Sequence, residues 1–250
     1  MLPGADRAPL QACFWPAPRG LGGAPVVICI GEEGETLELL AGRLAPAAAG
    51  TGLALLLVAM SDVQDAPGLQ HAGLITAEMR LGDCIDHLVS RGDVDVERIA
   101  VRGDGLAAAL ATRLAISDAR IAAAVCDGGL WDASRVRAGI GWLAGQEGTS
   151  GLDAAAQRTR LVRRIRCPFL VVADERGVIC TAEALALQAD CALLGVRMDL
   201  DIPPAAASVQ ETIEGLLRSE AGIVDWLVSS LAMSARGAAV LHRLPHAQAG

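Results

Sequence analysis

Residues 97–108 read ERIAVRGDGLAA, and this stretch is the most informative part of the sequence for the fold. A short apolar run, Ile99 to Val101, is followed at once by a glycine-rich turn. Small and apolar residues, Leu106 to Ala111, come directly after that turn. The order predicts a β-strand, a sharp turn and an α-helix, with glycine supplying the backbone conformation that the turn needs. Taken alone, the stretch could be an ordinary strand-to-helix turn. The flanking sequence is therefore needed to tell which kind of turn it is.

The turn can be aligned with the pattern G-x-S-x-G, in which a serine nucleophile is held on a strained turn above a sheet. In this alignment Gly103 takes the first glycine position and Gly105 takes the nucleophile position. Glycine has no side chain, so Gly105 can form no covalent intermediate. A shifted register with Asp104 as the nucleophile would place Arg102 and Leu106 where strand and helix approach most closely. We reject that register.

The composition is that of a globular domain with room for a large core. A chain of 250 residues can bury a sheet on both faces. Hydrophobic residues make up 52% of it, and the mean hydropathy is +0.41. The longest apolar run, Leu53–Met60, has the length of a buried strand, and the N-terminus has no signal-peptide pattern. We therefore expect a cytoplasmic protein that makes no contact with membranes.

Charge and cysteine content exclude several classes of partner. The net charge of −8 argues against nucleic-acid binding, which needs clustered Lys and Arg. The one basic run, Arg158–Arg166, is interpreted as the exposed face of a helix. Seven cysteines are scattered without a C-x-x-C pair, which indicates reduced core thiols rather than disulfides or a zinc site. We expect neither a metal nor a cofactor.

Short β-rich runs alternate with helical ones along the chain, which is typical of a mostly parallel sheet with helices on both faces. Strands are predicted at Val26–Ile30, Leu53–Met60, Arg98–Val101, Arg120–Cys126, Cys167–Ala173 and Arg197–Ile202. Helices are predicted at Thr36–Ala49, His71–Arg91, Leu106–Ile116, Thr181–Leu194 and Val209–Leu231.

The predicted organisation is one domain with two flanking segments. Residues 1–24 form an N-terminal segment, residues 25–231 form the α/β domain, and residues 232–250 form a poorly ordered tail. Within the domain, residues 131–166 interrupt the alternation with a glycine-punctuated helical stretch. We interpret that stretch as a small helical lid-like insertion.

This order of elements resembles the α/β-hydrolase fold, and within it the dienelactone-hydrolase and FrsA-like esterase branch. The resemblance covers residues 25–231 and includes the turn at Gly105. It also rests on the loop at Gly31 and on VAMS at 58–61, VCDGGLW at 125–131, CPFLVVADERG at 167–177 and IVDWL at 223–227. Each motif is common, but their occurrence in the expected order is specific.

The resemblance implies a serine, an acid and a histidine in that chain order. It places the acid position on Gly177, with Asp174 and Glu175 close by in sequence. The histidine should lie between the last strand and the closing helix, yet residues 203–210, PPAAASVQ, contain none. Nucleophile, acid and histidine are thus all predicted to be missing.

Two histidines in the tail leave one alternative open. His242 and His246 lie beyond the closing helix, and a tail that folded back could bring one of them to the site.

A pocket is predicted at the carboxyl ends of the strands, where open α/β sheets bind ligands. Glutamates in the loop after the first predicted strand would oppose a developing oxyanion, unless they simply point into water. Asp104 and Asp127 are the candidates for a general acid or base. The acidic residues at this edge could also hold a cation, although we favour solvated acidic loops. The predicted pocket residues are Gly31, Glu32, Glu33, Gly103, Leu106, Cys126, Trp131, Trp142, Asp174 and Glu175.

Three functions remain open. The favoured one is a catalytically degenerate hydrolase-like protein that binds a small molecule or a partner protein. The alternative is a non-hydrolytic cyclase, lyase or dehydratase that acts on a carbonyl-rich, polyketide-like metabolite through Asp104 or Asp127. The second alternative is an esterase- or thioesterase-type hydrolase. A dimer or another homo-oligomer is compatible with each of them.

Overall fold

The computed structural model describes residues 11–18, 23–32, 34–60, 71–128, 156, 159–173, 181–204 and 208–241. Of residues 71–75, 106 and 234–241 it describes only the backbone. Several predicted features lie outside the described residues: Glu33, Trp131, Trp142, Asp174, Glu175, Gly177, His242, His246 and most of the lid-like insertion.

In the part of the chain that the structure describes, seven strands form one sheet in the order β1-β3-β2-β4-β5-β6-β7. Their bounds are Ala12–Trp15 (β1), Ala24–Ile30 (β2), Ala54–Val58 (β3), Val94–Asp104 (β4), Ile121–Asp127 (β5), Phe169–Val172 (β6) and Met198–Asp201 (β7). The first of these pairs antiparallel with β3, and all other pairs are parallel. The prediction of a mostly parallel sheet is confirmed. The N-terminal edge strand was not predicted, because a four-residue strand at an edge carries little periodic signal.

Helices cover both faces of the sheet, as the alternating pattern predicts. Their bounds are Leu37–Ala48 (α1), His71–Val89 (α2), Ala108–Ser117 (α3), Thr181–Leu193 (α4) and Val209–Leu241 (α5). Buried residues of α2, α3 and α4 share one core with the sheet, and those of α1 and α5 share the other. The last helix extends beyond its predicted end at Leu231, so the backbone of residues 232–241 is helical rather than part of an unstructured tail.

The strands alternate their side chains between the two cores. In β4, Ile99 and Val101 face α2 and α3, whereas Ala100 faces α1 and α5. The next residue on the α1 and α5 side is Arg102, whose side chain is only 2% exposed. A guanidinium in an otherwise apolar strand requires partners, and these partners define the candidate site.

The described cysteines are all free, and all but the partly exposed Cys13 are buried. This agrees with the prediction of reduced core thiols. The described helices, α5 included, all lack an apolar stretch of the length that a bilayer crossing would require.

Candidate functional site

The turn at the carboxyl end of β4 has the geometry that the sequence predicts. The strand ends at Asp104, a 3₁₀ turn covers Gly105–Ala107, and α3 follows directly. Gly105 has φ +54°, in the left-handed region that residues with side chains rarely adopt. A Cβ atom at Gly103 would lie 2.2 Å from the carbonyl oxygen of Ala107, so strand and helix approach too closely for any other residue. This close approach supports the register in which Gly105 takes the nucleophile position.

The loop after β2 places a carboxylate against this turn. A Cβ atom at Gly105 would lie 2.6 Å from Oε1 of Glu32 and 3.0 Å from its Cγ. Gly128, with φ +96°, lies on another side, where its own Cβ would be 3.3 Å from the Cα of Gly105. Although Glu32 is exposed, its carboxylate therefore fills the space that a side chain at residue 105 would need.

The backbone amide of the same loop is engaged within the chain. The N–H of Glu32 donates to Oε2 of Glu35 at 3.2 Å. Arg43, on α1, donates to the same carboxylate from Nε at 3.1 Å and from Nη2 at 3.0 Å. Neither Glu35 nor Arg43 was predicted, and together they hold the loop against the first helix.

Arg102 is the centre of a buried set of charges. Its Nε donates to Oδ1 of Asp104 at 2.8 Å, and its Nη2 donates to Oδ2 of Asp127 at 2.6 Å. Glu220, on α5, accepts from Nη1 at 2.6 Å and from Nη2 at 2.9 Å. Burial by itself would lower the pKa of Arg102, but Asp104, Asp127 and Glu220 raise it well above its usual value. The guanidinium therefore stays charged.

The second arginine joins this set to the loop. Arg43 donates to Oδ2 of Asp104 and, at 2.6 Å, to Oε1 of Glu220. We call the six residues Glu35, Arg43, Arg102, Asp104, Asp127 and Glu220 the ion cluster. It contains two guanidinium groups and four carboxylates, so it carries an excess of negative charge when all are ionised.

The two predicted acid–base candidates differ sharply within this cluster. Both carboxylate oxygens of Asp104 accept from arginines, and the residue is 5% exposed. The side chain of Asp127 is 24% exposed and bonds Arg102 through Oδ2. The pKa of Asp127 is raised to about 6, mainly by burial: Arg102 and Arg43 act to lower it, whereas Asp104 and Glu220 add to the increase. Asp127 is thus the better placed of the two to exchange a proton near neutral pH.

Of the other predicted pocket residues, Gly31 and Gly103 lie beside the turn, and Cys126 on β5 is paired with Gly103 on β4. A Cβ at Gly31 would be 2.8 Å from Oε2 of Glu35. The thiol of Cys126 is fully buried on the α3 side of the sheet, where it contacts the hydroxyl of Thr112 at 2.9 Å. Burial raises the pKa of this thiol to about 12, so it is not poised to react. Leu106 lies in the turn, and only its backbone is described.

The interpretation of the acidic edge as solvated loops is wrong for Asp104 and Asp127, because both are ion-paired and mostly buried. Two members of the ion cluster that were not predicted can nevertheless be recognised in the sequence. Arg102 interrupts a run of apolar strand residues, and Glu220 interrupts the apolar stripe of α5. A charge inside an apolar pattern predicts a buried ion pair, although not which residue supplies the other charge.

Within the described ranges, no group of three His, Cys, Asp or Glu side chains is arranged to hold a metal ion.

Comparison with known proteins identifies the fold. No family model matches the sequence, and no curated protein matches it. Among solved structures, Est1E from Butyrivibrio proteoclasticus superposes with a TM-score of 0.67 at 15% identity, covering 93% of this chain and 98% of that one. An esterase from Pyrobaculum calidifontis gives 0.62 at 18% identity, covering 88% and 85%. The 2,6-dihydroxy-pseudo-oxynicotine hydrolase gives 0.59 at 16% identity, covering 89% and 68%. The chain has the α/β-hydrolase fold, and these neighbours are hydrolases and esterases.

Proposed function

We propose that this protein uses its hydrolase-like site to bind a small molecule or a partner protein and does not hydrolyse esters through an acyl-enzyme. One observation carries the proposal: the carboxylate of Glu32 lies where a side chain at Gly105 would stand. Covalent catalysis needs a nucleophilic side chain at this turn. The chain instead provides a glycine with a carboxylate above it.

The surroundings of the turn support the same proposal. An oxyanion site stabilises developing negative charge with donors that are free to face it. Here the N–H of Glu32 already donates to Glu35, and the carboxylates of both glutamates would repel an oxyanion. The sequence after β7 adds to this, because residues 203–210 contain no histidine to accept a proton from a nucleophile.

The test uses activated esters and a covalent probe. The purified protein is mixed with p-nitrophenyl acetate and p-nitrophenyl butyrate, and in parallel with a fluorophosphonate. We expect no burst of p-nitrophenol and no phosphonylated residue. A burst or a labelled serine in the wild-type protein would contradict the proposal and favour an esterase or thioesterase.

Three variants distinguish the effect of the absent hydroxyl at residue 105 from the effect of the Glu32 carboxylate that occupies its place. Gly105→Ser restores the hydroxyl, and Gly105→Ser combined with Glu32→Ala also clears the carboxylate from it. Neither is expected to reach esterase-like turnover, since residues 203–210 supply no histidine. Gly50→Ser is the matched control for backbone strain, because Gly50 has φ +78° and no atom lies within 4 Å of the position that its Cβ would take.

A second candidate function is non-hydrolytic acid–base chemistry on a carbonyl-rich metabolite. Asp127 favours it, since a partly exposed carboxyl with a pKa of about 6 can both donate and accept a proton near neutral pH. Metabolites retained by the purified protein, identified by mass spectrometry, would supply the substrate to assay. Asp127→Asn should then abolish turnover without unfolding the protein. Full turnover by this variant would remove the candidate.

A further inference from the structure

Glu35 is bound by its own chain in the way that a protein binds a carboxylate ligand. Arg43 donates to its two oxygens from Nε and Nη2, at 3.1 and 3.0 Å, which is the paired arrangement that makes arginine selective for carboxylates. The backbone N–H of Glu32 adds a third donor at 3.2 Å. A fork and a backbone amide converging on one carboxylate form a complete recognition unit.

This unit lies at the edge of the sheet where a ligand would approach, in addition to joining the loop to the first helix. The amide belongs to the loop after β2, at the carboxyl ends of the parallel strands, where open α/β sheets bind ligands. Oε2 of Glu35 packs against the backbone of Gly31, where a Cβ would leave only 2.8 Å. The side chains of Glu35 and Arg43 are 15% and 32% exposed, so a solute can reach the pair.

We propose that Arg43 and the amide of Glu32 form a carboxylate-binding site, which Glu35 fills in this structure and which a ligand's carboxylate group takes over by displacing Glu35. This deepens the proposed function and rests on it, since it names the class of ligand for the same site. The exchange replaces one carboxylate with another, so the charge balance of the ion cluster is unchanged. Glu35 precedes the helix cap Thr36, and its side chain can therefore leave without breaking a backbone hydrogen bond of α1.

The experiment removes the internal carboxylate and supplies one from solution. In Glu35→Ala, sodium acetate and sodium propionate are expected to raise the melting temperature well above the effect of sodium chloride at equal ionic strength, because only a ligand of the folded state stabilises by mass action. Glu38→Ala is the matched control, since Glu38 lies in the first turn of α1 and is exposed. In this control, acetate and chloride should act alike.

A direct readout follows the amide itself. In ¹⁵N-labelled Glu35→Ala, acetate should move the amide resonance of Glu32 in a saturable way, and in the wild-type protein the midpoint should lie at least tenfold higher because Glu35 competes. Equal effects of acetate and chloride on the variant, with no movement of the Glu32 resonance, would overturn the proposal. If Glu35→Ala does not fold, the same measurements are made on Glu35→Gln, which keeps the volume of the side chain.

The two proposals fail separately. An acyl-enzyme in the wild-type protein would overturn the proposed function but leave the acetate titration unaffected. Absence of the acetate effect would overturn the carboxylate site, but it would not affect the proposal that the protein forms no acyl-enzyme.

Discussion

The two faces of the sheet are built from alternate residues of the same strands, yet they are held together differently. The face under α2, α3 and α4 is apolar apart from the buried hydroxyl of Thr112, with Phe169 and Leu110 among its fully buried members. The face under α1 and α5 is apolar only in part. Around the carboxyl end of β4 it holds the ion cluster centred on Arg102.

The two faces place different demands on the residues around them. Apolar burial is non-directional and scales with the area removed from water, so many partners can satisfy it. The ion cluster needs groups from α1, β4, β5 and α5 at hydrogen-bond distance, and removal of an arginine leaves buried carboxylates with too little counter-charge. Substitutions on either face should therefore differ in their cost and in its dependence on pH.

The largest effect is expected from Arg102→Met. Removing this guanidinium leaves Asp104, Asp127 and Glu220 without their shared partner, and the free energy of unfolding at pH 7 should fall by about 3–5 kcal/mol. Urea denaturation measures it. The loss should be smaller at pH 5, where carboxyl groups can take up protons.

Arg113→Met is the control for Arg102→Met, because Arg113 pairs with Glu78 at 2.8 Å and both side chains are partly exposed. Its loss should be about 0–1 kcal/mol. Equal losses in the two variants would show that the ion cluster is energetically no different from a surface pair.

On the apolar face, Leu110→Ala should lower the free energy of unfolding by about 2–5 kcal/mol through lost burial and the cavity left behind. Leu110 is fully buried in α3. No charge is involved, so the loss should be the same at pH 5 and pH 7. Leu185→Ala, at a 49% exposed position of α4, should change stability little. A strong pH dependence of the Leu110→Ala loss would contradict the proposed contrast between the faces.

Gly103→Ala tests the close approach of β4 and α3 with one added methyl group. The Cβ would meet a backbone carbonyl oxygen at 2.2 Å, which no side-chain rotation can relieve. We expect a loss of about 1–3 kcal/mol in chemical denaturation. Gly42→Ala, at a helical position with nothing within 4 Å, should instead stabilise by about 0.5–1 kcal/mol. A neutral Gly103→Ala would mean that strand and helix can move apart.

The last prediction concerns the protonation of Asp127. Its pKa is raised in the folded state from an ordinary value of 3.8 to about 6, so the folded protein binds this proton more tightly than the unfolded chain does. The contribution to stability is therefore present at low pH and is lost as pH rises from about 4 through 6. Stability measured by denaturant titration at several pH values should fall over this window, and Asp127→Asn should flatten the slope. An unchanged slope in the variant would assign the titration to another group.

Much of the fold was open to prediction because its signals are local. The apolar strands, the first helix and the turn at Gly105 can each be inferred from a few neighbouring residues, and the structure confirms them. The short edge strand at Ala12–Trp15 and the extension of α5 to Leu241 were missed. Both lie at ends of the fold, where tertiary contacts and not sequence periodicity decide whether a segment joins it.

The candidate site was less open to prediction than the fold. The turn, Glu32 and Asp127 could be located from their positions after strands, because the carboxyl ends of parallel strands meet at one edge. Glu35, Arg43 and Glu220 were not found. Glu35 and Arg43 occupy positions where a solvated charge is the ordinary expectation, and Glu220 interrupts an apolar stripe without revealing which residue it pairs with.

The order of strands and helices, the glycine at the turn and the lack of histidine at residues 203–210 follow from the amino-acid sequence alone, since these are properties of neighbouring residues. Which charges meet depends instead on how the elements pack in three dimensions. Arg102 and Glu220 are separated by 118 residues, and Arg43 and Glu220 by 177, yet they bond directly. Side-chain pairs of this kind form where two element faces happen to meet, and they persist because a buried charge without a partner is costly.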